Sequence, residues 1–163
     1  MFILISPIGL PGAGPGPHGV SPRNPSKELS ESLTTIITKG TKQITKYTAI
    51  NKVLSTSIAL SKTKDPGERT QLKMDLKAAW DTVKKKSRED EMHEAYLLLT
   101  DLGFNDDLIN NPEKISFDDL QWQRIVGINT KASNFKKDWE QLVKNAHDLI
   151  IKEKDITEFL KSR

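Results

Sequence analysis

From Ser133 to Arg163 the apolar residues Phe135, Trp139, Leu142, Val143, Ala146, Leu149, Ile150, Ile156 and Leu160 recur at steps of three and four. That spacing gathers them on one face of a helix, with Lys136, Lys137, Lys144, Lys152 and Lys154 mostly elsewhere. A stripe this long has to be covered by other elements. The chain is therefore expected to be mostly α, a single bundle of about five helices spanning 26–163 and gathered around its last segment.

The earlier segments repeat the pattern. Ser26 suits a helix cap with Glu28 in the first turn. From there Leu29, Leu33, Ile36, Ile37, Ile44, Tyr47, Ile50, Val53, Leu54 and Ile58 keep helical spacing to about Ser61, with a break or bend expected at Gly40. Asp65-Pro66-Gly67 reads as a turn, followed by a helix over 68–86 with Leu72, Leu76, Ala79, Trp80 and Val83 inward. Met92, Ala95, Tyr96, Leu99 and Leu102 form the next stripe, and Gly103 is its expected C-terminal stop. Residues 104–112 read as a connecting segment with one turn at 106–110. A further helix opens at Ser116-Phe117-Asp118-Asp119, its acids suiting the first turn. It is expected to stop near Gly127, and the terminal helix to start afresh with Ser133 as cap.

The first 25 residues differ in kind. After the apolar run Phe2–Ile5, a short strand at most, comes SPIGLPGAGPGPHGVSPRNP, whose Pro and Gly exclude a continuing helix. A flexible leader is the expectation. The apolar opening lacks the basic lead-in and the length of a signal peptide. No run approaches the roughly 20 apolar residues of a membrane span, so a soluble, cytoplasmic protein is the default reading.

Charge is uneven along the chain. Net charge is +3, and the sequence contains no cysteine, which excludes disulfides, thiolate catalysis and Cys-based zinc sites. Up to Lys64 eight Lys and Arg face only Glu28 and Glu31, so the N-terminal side is the basic one. Lys39, Lys42 and Lys46 share a helix face there and are candidates for contact with the phosphates of a nucleic acid or with an anionic surface.

No catalytic or cofactor constellation is complete. Asp90 stands three before His93, as in helical di-iron sites, but Lys144 stands three before His147, so the second half of that pattern is missing. No Gly-x-Ser-x-Gly elbow occurs. Asp106-Asp107 and Asp118-Asp119 lack the alternation of a calcium loop. No metal, cofactor or catalytic residue is assigned; the reading leans toward a non-enzyme, with a site assembled from distant segments left open.

Three short stretches resemble known families. ILISPIGLPGAG is similar to the strand and phosphate loop of P-loop kinases, with Gly9 and Gly14 at the right separation. Pro15 and Gly16 stand where the Lys and the hydroxyl residue belong, which removes the chemistry. Ser6-Pro7-Ile8-Gly9-Leu10 resembles the hinge before the C-terminal toxin domain of Rhs-type polymorphic toxins, with Ser in place of Asp. That resemblance implies a basic effector domain acting on nucleic acid, secreted or delivered into a host. Ile115-Ser116-Phe117-Asp118-Asp119-Leu120-Gln121 with Trp139 is similar to the helical interaction domain of transcription elongation factors, although Trp139 comes several helical turns too early.

Two functional readings follow. The first is a non-catalytic helical module that binds another protein, or a second copy, through its C-terminal helix. Ile151 and Phe159 flank the stripe and are the expected contact residues. The second is the basic, toxin-like domain, working through Lys39, Lys42 and Lys46.

Overall fold

A computed structural model describes residues 25–162, and of Pro25 and Ser26 the backbone alone. The described residues form five α-helices and no strand: α1 (Pro25–Lys62), α2 (Pro66–Lys85), α3 (Asp90–Asp101), α4 (Asp106–Asn110) and α5 (Asp119–Lys161), with a 3-10 turn at Pro112–Lys114 before α5. The fold class is thus mostly α. The leader, its strand at 2–5 and both glycine-rich resemblances fall outside the described residues, apart from Pro25, which already belongs to α1. Among the described residues no helix is long and apolar enough to cross a membrane.

The helix count agrees with expectation, but the division is different. Gly40 neither breaks nor ends α1. Gly127 does not stop the helix that begins at Asp119, and Ser133 caps nothing: α5 runs through both for 43 residues. A glycine inside a helix removes no hydrogen bond and costs only about 1 kcal/mol against alanine, which packing on either side offsets. Ser133 uses its hydroxyl across the fold, donating to Asn51 Oδ1 at 3.2 Å. Asn51 in turn donates to Asn129 Oδ1 and to the Asn129 carbonyl.

A built Cβ at Gly127 meets nothing within 4 Å. Gly127→Ala is therefore expected to stabilise the protein by about 0.5–1 kcal/mol, read as a higher midpoint in urea unfolding with an unchanged slope.

The chain divides into two compact units. One, Lys42–Trp139, holds the main core: Ile50, Val53 and Leu54 from α1, Leu76, Trp80 and Val83 from α2, Met92, Ala95 and Leu99 from α3, then Leu102, Phe104, Ile109, Ile125 and Ala132. Trp80 lies against Tyr96, and Phe104, Phe117 and Trp122 meet edge to face in series at 5.5 and 5.2 Å. Most of this core comes from α1, α2 and α3 together. The last segment, around which the sequence suggested the bundle would gather, supplies none of it; its Trp139 is buried and belongs to the same unit but lies outside that cluster.

The helix ends are set locally. Asp65 accepts from the Glu68 amide with Pro66 in the first turn of α2, so that helix starts two residues earlier than the turn signal suggested. Asp118 accepts from Gln121 N at 2.7 Å and caps α5. α3 ends in a Schellman arrangement, Phe104 N–H to Leu99 O and Gly103 N–H to Thr100 O, with Gly103 at φ +107°.

The second unit, an arm, combines the described part of Met1–Thr41 with Glu140–Arg163, that is, the start of α1 and the end of α5. Leu33, Gly40 and Ala146 are buried in it, and Ile36, Ile37, Leu142, Val143 and Ile150 are half-buried.

Candidate interaction surfaces

The arm has two helical segments, and each can cover only part of the other. The apolar stripe of α5 is wider than one neighbour, and the excess remains in solvent. Leu149 is 48% exposed, Ile156 58% and Leu160 61%, although the sequence placed all three in the buried face. Their spacing, seven and then four residues, aligns them along one side of the helix. Phe159, 59% exposed, lies next to that line, whereas Ile151, 58% exposed, is displaced around the helix from it. Both residues expected at a contact surface are thus exposed, and Phe159 is the one beside the apolar line. Leu29, 45% exposed, is the exposed apolar residue of the α1 segment.

The candidate cations are divided between units. Lys39 belongs to the arm, while Lys42 and Lys46 belong to the larger unit. Lys39 and Lys42 are exposed. Lys46 is nearly covered, its side chain 12% exposed, with Nζ 3.7 Å from Glu94 and 4.7 Å from the centre of the Tyr47 ring.

Polar groups of the larger unit act mainly as joints. Lys84 Nζ and Trp80 Nε1 both donate to Asp106; these bonds, Lys84 first, hold the Asp106 carboxyl below its ordinary range, and the bond to Asp106 holds the Lys84 ammonium above its own. Arg69 donates to the carbonyls of Leu60 and Thr63 at the end of α1 and to Glu113 Oε1 at 2.8 Å. Lys73 reaches the same oxygen at 2.7 Å. These two donors, Lys73 first, lower the Glu113 pKa from 4.5 to about 2. Nothing in the sequence singled out this clamp, because Arg69 and Glu113 are 44 residues apart and each reads as an ordinary surface charge.

A depressed carboxylate pKa stabilises the fold fully above the unfolded value and loses that contribution as pH falls through the folded one. The Glu113 contribution should therefore be complete above pH 4.5 and fade toward about 2. Glu113→Gln is expected to melt below wild type at neutral pH, and the gap should close in acid across that window. A gap of constant size would contradict the clamp.

His93 Nδ1 lies 3.1 Å from the Ser87 carbonyl, which can only accept, so that nitrogen carries the proton in this bond. Asp90 and His93 do not join a larger group: among the described residues no three His, Asp or Glu side chains are placed to hold a metal ion. Comparison of the chain with protein-family models, with curated proteins and with solved structures finds no match.

Proposed function

We propose that this chain is a non-catalytic helical interaction module whose arm associates with the arm of a second copy. One observation carries the reading: Leu149, Ile156 and Leu160 lie in line on α5, each about half exposed or more. Water-exposed aliphatic side chains in a row favour burial against another surface.

Charge supports a second copy as the occupant. Glu140–Arg163 carries five basic and five acidic residues, and the described part of α1 up to Thr41 carries Lys27 and Lys39 against Glu28 and Glu31. Two arms therefore meet without net repulsion. The patch is small beside the roughly 800 Å² per partner of a standard stable interface. A reversible, concentration-dependent dimer is the form expected, not an obligate one.

Sedimentation velocity of the full chain over a wide concentration range tests this. A shift from monomer to dimer is expected, abolished by Ile156→Asp and Leu160→Asp and little changed by Ile151→Asp. Both acidic substitutions fall on exposed positions, so the melting temperature should stay near wild type. A wild-type chain that stays monomeric throughout, or a dimer indifferent to both changes, would overturn the proposal.

A further inference from the structure

The larger unit carries a separate apolar groove of about 360 Å³ between α1 and α2, closed at its floor by Met92 of α3. Its cause is side-chain size. Thr48 and Ala49 on one helix face Ala78 and Ala79 on the other, too short to fill the space between the two backbones. Lys52 stands in the lining, and Lys85 and Lys86 follow the lining residue Thr82 by three and four positions, so they continue the α2 wall toward its C-terminus. None of these three lysines is paired with an acid among the described residues. The acids of α2 within a turn of the lining are Asp75, three positions before Ala78, which accepts from Gln71, and Asp81, three positions after it, which lies 4.0 Å from Lys77.

We infer that this groove is a docking site for an acidic amphipathic helix of a partner protein, which would insert apolar side chains between α1 and α2 and set its carboxylates against Lys52, Lys85 and Lys86. The volume, at the low end of ordinary ligand pockets, holds one or two large side chains and not a whole helix, so the partner lies across the opening. The partner's backbone is taken as helical because the apolar groove lies between two helices, the arrangement in which an amphipathic helix sets its anchors at steps of three and four. A nucleic acid is the poorer fit: no aromatic ring lines the groove for bases to stack on, and its lining is mainly apolar. Met92 at the floor suits such a site, since its unbranched side chain adapts to different anchors.

The site is independent of the arm and shares no residue with it. The test is selection of peptides from a random display library against the full chain. Selected peptides should be net acidic, with apolar residues at helical spacing. Their affinity should fall about tenfold or more on Lys85→Glu with Lys86→Glu, and be lost on Ala78→Phe, which fills the groove from an exposed position. Circular dichroism of each variant checks that it folds, and Ile156→Asp should leave peptide binding unchanged. Neutral or basic winners, no winners, or binding indifferent to Ala78→Phe would overturn the inference. Displacement of the peptides by single-stranded RNA with a steep salt dependence would assign the lysines to phosphate contact instead.

Discussion

Trp80→Ala is expected to lower the unfolding free energy by about 3–5 kcal/mol. The indole is 2% exposed, its ring centre lies 5.7 Å from that of Tyr96, and its N–H donates to Asp106 Oδ1 at 2.8 Å. Removing it leaves a cavity where α2, α3 and α4 meet, and takes one of two donors from the carboxylate that opens α4. For a domain whose whole stability is about 5–15 kcal/mol, a loss of that size brings the variant close to unfolding at room temperature. Trp80→Phe retains most of the volume and loses the hydrogen bond, so it should fall well short of the alanine variant. Urea unfolding measures both, and an alanine variant within about 1 kcal/mol of wild type would show that the core is not built on this residue.

Gly103→Ala should cost about 2–4 kcal/mol, an unusual amount for adding one methyl group. At φ +107° a side chain is strained whatever the space around it. Here the added Cβ would also stand 2.8 Å from Gln121 Nε2 and 3.1 Å from the Phe117 ring. Gln121 would have to release the Leu102 carbonyl, to which it donates at 2.7 Å, leaving the end of α3 short of a donor. The same substitution at Gly127 has the opposite expected sign, because that glycine is helical and faces open space. Measured side by side, the pair separates glycine as a requirement from glycine as a cost.

Helical periodicity made most of the fold readable. The inward face of α2 appears as the spacing places it, with Leu76, Ala79, Trp80 and Val83 buried, and Gly103 ends α3 by the positive φ its residue type suggested. What was not readable depended on contacts distant in sequence. Ser133 resembles a cap until Asn51, 82 residues away, accepts its hydrogen bond, and Gly127 resembles a stop until the residues on either side prove to be packed. Phe104, 1% exposed, reads in the sequence as part of a connection. Its place directly after a helix-ending glycine was the available signal, since that position packs back onto the last turn.

The candidate surfaces were half visible. Spacing marked the end of α5 as apolar but assigned Leu149, Ile156 and Leu160 to the core, because periodicity says which residues share a face and not how many neighbours cover it. Lys46 read as part of a basic face until Glu94, from another helix, came within ion-pair distance. The groove beneath Lys52 could not be anticipated, since it arises from small residues on two helices facing one another.

Two copies are proposed to meet along the line formed by Leu149, Ile156 and Leu160. Hydrogen–deuterium exchange of the full chain at low and high protein concentration tests it most directly. Amides over 149–160 are expected to gain protection as concentration rises, with those of the Trp80 and Leu99 core unchanged. Exchange over 149–160 that is the same at both concentrations would contradict it.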